Sequence, residues 1–343
     1  MGGNALKAVK TTRLPASEYH PLAEEVCAAL ASRFGCRAAA IPAFRSKADF
    51  GDLDVMVEKE SASREQLEEF ALTIGLARQI VVNGSVLSYD HRQTVDDEVG
   101  FQVDLIRTPA PEFDIGLAYF SYNDLGNLIG RVAHKMGFSY GHRGLLYPIR
   151  EGTHLIGTVE MSSDVAQCLE FLGYSPDRFH QGFEDREEIY AYVQSSPYFN
   201  PAIYLLENRN HTSRTRDRKR PTYMGFLEHL RSLPPRDYFQ FPKDKAEWLP
   251  KAFAAFPGME AQVAHVYERY AQSRRVKEAL DGQMVAARTG LSGKALGAFM
   301  GRVRTELGGV EGMAALLDEG GAELLQSKAL ALLSPPSPRP GPR

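Results

Sequence analysis

The chain has 343 residues, 43% of them hydrophobic, and a formal net charge of -3. That length supports two or three domains with cores of their own, and the near-neutral charge excludes a protein that coats nucleic acid with its whole surface. The three widely spaced cysteines argue against a zinc cluster or a disulfide scaffold, and the lack of a signal peptide and of a membrane-length apolar stretch predicts a soluble cytoplasmic protein with no membrane partner.

The first elements are an arm, a helix and a strand. Residues 1–15 have no clear pattern and predict a loose arm. The apolar stripe over residues 17–34 predicts an amphipathic helix, which Gly35 ends. Small apolar residues over 36–44 predict a strand, and a loop follows over 45–50.

An alternating acidic and apolar run over residues 52–58 follows a glycine turn at Gly51. Successive side chains of a strand point to opposite faces, so Asp52 and Asp54 share one face. The other face carries Leu53, Val55 and Val57. Two carboxylates this close repel each other unless a cation lies between them, and such oxygen-rich sites suit Mg²⁺. The alternative is a strand edge with two solvated aspartates.

The next elements complete a sheet. Residues 63–77 predict a second helix, and residues 79–89 predict a hairpin that turns at Asn83-Gly84. A polar loop over 91–100 leads to a strand over 101–106, in which Asp104 faces away from its apolar neighbours. This order of elements predicts a mixed sheet of the α+β class.

The remainder of the chain is mostly helical. Residues 113–138 predict helix, and residues 159–171 predict a strand followed by a helix with Ser162 or Ser163 as its cap. Helical patterns continue from Gln181, interrupted by a basic run. The proline-rich tail predicts disorder.

Two aspartates on one strand and a third on a neighbouring strand match the needs of phosphoryl transfer. That chemistry uses two divalent ions about 4 Å apart, held by bridging carboxylates. Asp52, Asp54 and Asp104 fit this layout. They predict a site for two Mg²⁺ ions, with Mn²⁺ as a substitute.

The segment after Asp104 resembles the family X, polymerase-beta-like, DNA polymerases of the nucleotidyltransferase superfamily. Tyr119-Phe120-Ser121-Tyr122 is similar to the family's Tyr-Phe-Thr-Gly segment, and an Asp, an Asn, an Arg and a Gly-Phe pair follow in the family's order. The resemblance covers roughly residues 20–180. It implies a nucleotidyltransferase palm over 1–150 and a thumb-like subdomain with the basic segment over 151–232. We expect a helical carboxy-terminal domain over 233–330 and a disordered tail over 331–343.

The resemblance also implies roles for individual residues. Asp52, Asp54 and Asp104 would be the metal ligands, and Asp104 would act on the attacking hydroxyl. The residues that would lie around the bound nucleotide are Gly51, Tyr119, Phe120, Asp124 and Asn127. Arg131 would belong to the helix behind this pocket. The alternatives are an aromatic core for Tyr119 and Phe120 and a surface salt bridge for Arg131.

The chain departs from the family in its phosphate loop. The Gly-Ser pair that precedes the acidic strand in the family is missing, and the loop reads Pro42-Ala43-Phe44-Arg45-Ser46-Lys47. The candidates to replace it are Arg45, Ser46 and Lys47, and the forked guanidinium of Arg45 is the leading one. The first 40 residues also leave no room for the family's amino-terminal lyase domain.

The basic run is a candidate nucleic-acid contact, because basic side chains interleaved with small polar donors suit phosphate backbones. Its basic residues are Arg209, Arg214, Arg216, Arg218, Lys219 and Arg220. The alternative is a solvated charged linker.

The leading prediction is a Mg²⁺-dependent nucleotidyltransferase that moves a nucleoside monophosphate from an NTP or dNTP to a 3′-hydroxyl of DNA or RNA and releases pyrophosphate. A second prediction keeps this chemistry with a tRNA end, a protein or a small molecule as acceptor. A third is a catalytically idle polymerase fold that binds nucleic acid. Retention of all three carboxylates argues against the third.

Overall fold

The computed structural model of the protein describes residues 5–333. Its strands are β1 (Lys10–Thr11), β2 (Leu14–Pro15), β3 (Ala38–Ala40), β4 (Asp49–Phe50), β5 (Asp52–Glu58), β6 (Ile80–Asn83), β7 (Val86–His91), β8 (Val99–Thr108), β9 (Ser139–Gly141), β10 (Gly144–Glu151) and β11 (His154–Ser162). Its α-helices are α1 (Ala16–Phe34), α2 (Arg64–Thr73), α3 (Phe113–Phe120), α4 (Leu125–Met136), α5 (Val165–Phe171), α6 (Pro176–His180), α7 (Arg186–Gln194), α8 (His211–Asp217), α9 (Pro221–Arg231), α10 (Leu249–Ala255), α11 (Met259–Ala279), α12 (Gly282–Thr289), α13 (Gly293–Glu306) and α14 (Gly309–Ala331). Most of the predicted disordered tail, residues 334–343, lies outside the described residues.

The larger sheet has the strand order β3-β5-β8-β7-β6, and β1 also pairs with β8. β5 and β8 run parallel, as do β1 and β8. The β3-β5, β6-β7 and β7-β8 pairs are antiparallel. The predicted α+β class with a mixed sheet is therefore confirmed. The strands β9, β10 and β11 form a separate three-stranded sheet.

Helices α1 and α2 pack into one core with the apolar face of the larger sheet. α1 ends as predicted at Gly35, whose φ of 62° is the left-handed conformation that glycine adopts without steric cost. α2 begins with a capping box between Ser63 and Gln66. The apolar side chains of β5 that the alternation assigned to the core are fully buried, namely Leu53, Val55 and Val57. The acidic side chains of β5 consequently project from the opposite face.

The prediction of a loose arm over residues 1–15 is wrong for the residues that the structure describes. Lys10 and Thr11 pair with β8, and β2 pairs with β4. Leu6 is buried. The backbone of the arm satisfies its hydrogen bonds by adding to existing strands, which a search for periodicity in so short a segment cannot detect.

Five further predictions needed correction. The strand over 36–44 shortens to β3, and the helical stretch over 113–138 breaks between α3 and α4. The hairpin turns at Gly84-Ser85, one residue later than predicted, because Asn83 pairs with Val86. Asp164, rather than a serine, caps α5 by accepting a hydrogen bond from the Gln167 N–H. The basic run does not interrupt the helices, since it contains α8.

The chain divides into two compact units that differ from the predicted domains. The first takes the described residues up to Pro148 together with Glu160–Pro257. The second takes Ile149–Val159 and the described residues from Gly258 onward, and it has a helical core of its own built from α11 to α14. Within residues 5–333, no helix has the length and apolarity needed to cross a membrane.

Candidate active site

Three carboxylates meet near the start of β5. The parallel register of β5 and β8 places Asp54 opposite Asp104, and Asp52 precedes Asp54 by two residues on the same face. The ligand oxygens of the three side chains lie within 4.8 Å of one another, and each residue is partly buried. The fold thus brings together the three residues that the sequence singled out.

The surroundings of the cluster disfavour the charged form of two of its carboxylates, Asp54 and Asp104. Burial, followed by repulsion from Asp52 and Asp104, raises the pKa of Asp54 from 3.8 to about 7. Burial also raises the pKa of Asp104, whereas hydrogen bonds from Ser88 and Gln102 oppose that rise. A divalent cation among the three carboxylates would remove the repulsion, and a donor set made only of oxygens suits a hard cation such as Mg²⁺.

A cavity of about 660 Å³ opens above the carboxylates. Asp52 and Asp54 line it directly, and Asp104 lies beside Asp54 in the sheet. The other predicted residues in its lining are Lys47, Gly51, Tyr119, Phe120, Asp124, Asn127, Lys219 and Arg220. The lining residues that the sequence did not indicate include Arg13, Tyr19, Asn123, Arg186 and Thr222. All of them belong to the first unit.

Cationic side chains stand around this acidic floor. The Lys47 ammonium lies over the Phe50 ring, 4.2 Å from its centroid. Burial lowers the pKa of Lys47, while the nearby charges of Asp52 and Asp54 oppose that fall. Arg186 also lines the cavity, and its guanidinium lies 5.7 Å from the centroid of the Phe44 ring. The cavity therefore offers cations at its wall and carboxylates at its floor.

The structure brings only one of the three predicted phosphate-loop residues into this cavity. Lys47 lines it, whereas Ser46 lines an adjoining cavity of about 480 Å³. The Arg45 guanidinium instead donates to the carbonyl of Gln181 and lies 3.7 Å from the carboxylate of Glu184. The fork of Arg45 is thus turned toward the loop before α7, and the structure does not bring this leading candidate to the cavity wall.

A strained turn presents the polar residues of α4 to the cavity. Tyr122 and Asn123 have φ values of 56° and 61°, which non-glycine residues rarely adopt. The Tyr122 N–H donates to the Pro42 carbonyl at 2.8 Å, which ties the turn to the loop before β5. A Cβ at Gly126 would lie 2.2 Å from the Tyr119 carbonyl oxygen, so only glycine allows the end of α3 and the start of α4 to approach this closely. Backbone strain of this kind is found at functional sites more often than elsewhere.

Two arginines from the basic run reach the start of α4. Arg220 pairs with Asp124 at 2.5 Å, and Arg216 donates to Asn127 at 3.1 Å. The wall that includes Asp124 and Asn127 is therefore a charged network with donors and acceptors side by side, rather than two separate polar side chains.

The other basic residues of the run have different surroundings. Arg209 is buried and pairs with the buried carboxylate of Asp217 at 2.7 Å, so it is a structural contact. Arg214 donates to the Arg209 carbonyl, whereas Arg218 and Lys219 are exposed. Of the predicted nucleic-acid contacts, the structure thus leaves Arg216, Arg218 and Lys219 exposed, and Arg216 is held by Asn127.

Arg131 is not the surface residue that its charge alone predicts. It is buried in α4, and its guanidinium donates two hydrogen bonds to the Ile203 carbonyl, at 3.1 and 3.0 Å. Burial lowers its pKa to about 10. Arg131 therefore fixes the back of α4 to the segment that follows α7.

Comparisons with known proteins add no family to this description. No protein-family model matches the chain, and no curated protein matches it either.

Proposed function

We propose that the chain is a divalent-metal-dependent nucleotidyltransferase. It transfers a nucleoside monophosphate from an NTP or dNTP to a 3′-hydroxyl of a nucleic acid and releases pyrophosphate. The observation that carries the proposal is the clustering of three carboxylates from two neighbouring parallel strands at the floor of a cavity with cationic walls. The volume of about 660 Å³ falls in the range of roughly 300–1,000 Å³ that is usual for small-molecule sites.

Asp52, Asp54 and Asp104 would hold the metal, which we propose to be Mg²⁺, or Mn²⁺ in its place. The raised pKa of Asp54 supports this assignment, because burial and repulsion from Asp52 and Asp104 disfavour its charged form, which a bound cation would favour. When bound, the metal supplies Lewis-acid activation of the hydroxyl and neutralisation of phosphate charge. Asp104 would accept the proton of the attacking hydroxyl, a role that a carboxylate with a raised pKa performs better than an ordinary one.

The cavity walls divide into a phosphate side and a base side. Lys47 and Arg186 would bind the triphosphate, since both are cationic and both line the cavity. Tyr119 and Phe120 would lie against the sugar, and Phe120 is 37% exposed. The pair of Asp124 and Arg220 would face the base, where an acceptor beside a donor matches the edge of a base that carries an amino group.

A nucleic-acid acceptor is favoured by the position of the basic run. Lys219 and Arg220 line the cavity, and the exposed Arg218 is their neighbour in the chain. Arg218 and Lys219, which lead from the surface into the site, would bind the phosphates of the strand whose 3′-end reacts.

An incorporation screen tests the proposal. Labelled nucleotides with Mg²⁺ or Mn²⁺ are offered with primer–template DNA, single-stranded DNA, tRNA, and no added acceptor. We expect extension of at least one nucleic acid by the wild type and none by Asp54→Asn. If only the protein itself or a small molecule is labelled, the proposed acceptor is wrong and nucleotidyl transfer remains the proposed reaction. Nucleic-acid binding without any transfer would favour the idle fold and overturn the proposal.

A further inference from the structure

Gln102 lies between the third carboxylate and the amino-terminal segment of the chain. It is on β8, two residues before Asp104, and is only 2% exposed. Its Nε2 donates to both carboxylate oxygens of Asp104, each at 3.0 Å. Its Oε1 accepts a hydrogen bond from the backbone N–H of Ala5 at 3.2 Å. A continuous path of hydrogen bonds thus joins Ala5 to a proposed metal ligand.

The contact with Ala5 determines which way the Gln102 amide faces. A glutamine amide has an acceptor at one end and donors at the other, so a flip would turn Oε1 toward the carboxylate. Two acceptors would then face each other, and the Ala5 N–H would meet a donor. The backbone N–H of Ala5 consequently selects the orientation in which Gln102 donates to Asp104.

The segment that carries Ala5 is itself held in place. Lys10 and Thr11 pair with β8, and the Thr12 N–H donates to the Gly100 carbonyl at 3.0 Å. The Ala8 N–H donates to the side-chain oxygen of Gln79 at 2.9 Å. Two backbone N–H groups of this segment therefore bind glutamine side chains, and only the one at Ala5 connects to the carboxylates.

We propose that Gln102 and the Ala5 N–H are positioning groups that hold Asp104 in the orientation needed to bind metal. The inference rests on the proposed function, because it concerns the same metal site. The hydrogen bonds from Gln102 add to the one from Ser88 and restrain the carboxylate, so that one of its oxygens stays within 4.8 Å of ligand oxygens of Asp52 and Asp54 before any cation arrives. Partners of metal ligands that act in this way typically contribute 10- to 100-fold to metal affinity. The competing explanation is that Gln102 only anchors the amino-terminal segment.

Direct Mn²⁺ binding to the full-length protein, followed by electron paramagnetic resonance, separates these explanations without an activity assay. Gln102→Met keeps the size of the side chain and removes its donors. We expect it to weaken Mn²⁺ binding at least about tenfold. Ala5→Pro removes one N–H and leaves Gln102 intact, so we expect a smaller loss in the same direction. Ala8→Pro is the matched control, since it removes the equivalent hydrogen bond to Gln79, and we expect wild-type affinity.

Thermal melting of each variant shows whether it is folded at the temperature of the titration. Wild-type Mn²⁺ affinity in folded Gln102→Met would overturn the inference. If Gln102→Met does not fold, Ala5→Pro decides: equal losses in Ala5→Pro and Ala8→Pro would assign Gln102 to anchoring alone. Failure of the wild type to bind Mn²⁺ would instead overturn the proposed function, so the two failures are distinguishable.

Discussion

Asp54→Asn should make the metal-free protein more stable at pH 8, although it removes a proposed metal ligand. The pKa of Asp54 rises from 3.8 to about 7 on folding. Each pKa unit corresponds to about 1.4 kcal/mol, so the charged carboxylate costs the folded protein about 4 kcal/mol above pH 7. Asparagine removes the charge but leaves a buried polar amide, and we therefore expect a net gain of about 2 kcal/mol. That gain corresponds to a rise in melting temperature of roughly 4 to 8 °C for a unit of this size.

The pH dependence of stability shows whether the charge of Asp54 causes the difference between the two proteins. Because the pKa of Asp54 is raised on folding, the folded protein binds more protons than the unfolded chain between about pH 4 and pH 7. The wild type should lose stability as the pH rises through this window, and the advantage of Asp54→Asn should shrink to less than half at pH 5. Thermal melting in EDTA at pH 5 and at pH 8 measures this difference in stability between Asp54→Asn and the wild type. The control is Asp114→Asn, whose side chain is 69% exposed and pairs with Arg37, and which should change stability by less than about 0.5 kcal/mol.

Addition of Mg²⁺ at pH 8 should reverse the order of stability. A cation that binds only the folded state stabilises it in proportion to the logarithm of its concentration over the dissociation constant. The wild type should gain more from Mg²⁺ than Asp54→Asn. Two results would contradict this prediction: an Asp54→Asn protein that is no more stable than the wild type in EDTA, or a gain in stability that is the same at pH 5 and pH 8.

Asp104→Asn should reduce nucleotidyl transfer by at least roughly 10³-fold while the protein stays folded, and substantial activity in the transfer assay would contradict the two-metal assignment. Lys47→Ala should weaken nucleotide binding by about 1.5 to 3 kcal/mol in calorimetry with Ca²⁺, whereas Arg45→Ala should have little effect, and the reverse order would restore Arg45 to the site. Arg218→Gln should flatten the log–log salt dependence of nucleic-acid binding by about 0.7 to 0.9, while Arg231→Gln, also on an exposed part of the first unit, should leave it unchanged.

The carboxylate cluster could be predicted because it depends on two simple periodicities. Alternation along β5 places Asp52 and Asp54 on one face, and the same alternation turns Asp104 away from the core. Once β5 and β8 pair in parallel, their register brings Asp54 opposite Asp104. The apolar residues of these strands enforce the register, since a slip of one residue would bury the carboxylates.

The cationic wall could not be predicted in the same way. Arg13 and Arg186 are 173 positions apart in the chain, and only the fold brings both to the cavity. The loop before β5 shows the limit at short range as well. Its three polar residues are consecutive, yet they face different surroundings: Arg45 faces the loop before α7, Ser46 the adjoining cavity and Lys47 the carboxylates. The orientation of a loop side chain depends on the local backbone direction and on tertiary contacts, and sequence periodicity predicts neither of them.

The basic run shows why a charge pattern alone does not define an interface. Arg209 is buried because the carboxylate of Asp217 neutralises its charge. Removal of either partner would leave the other as an unpaired buried charge, which is strongly destabilising. That pair fixes α8, and fixed α8 allows Arg216 to reach Asn127. Arg218, which follows Asp217 in the chain, lies at the surface. Helix α8 thus contributes Arg216 to the wall beside the proposed base site, and Arg218, which directly follows α8, exposes a cation for a nucleic-acid phosphate. Acceptor binding and nucleotide binding are therefore expected to depend on one segment of the chain.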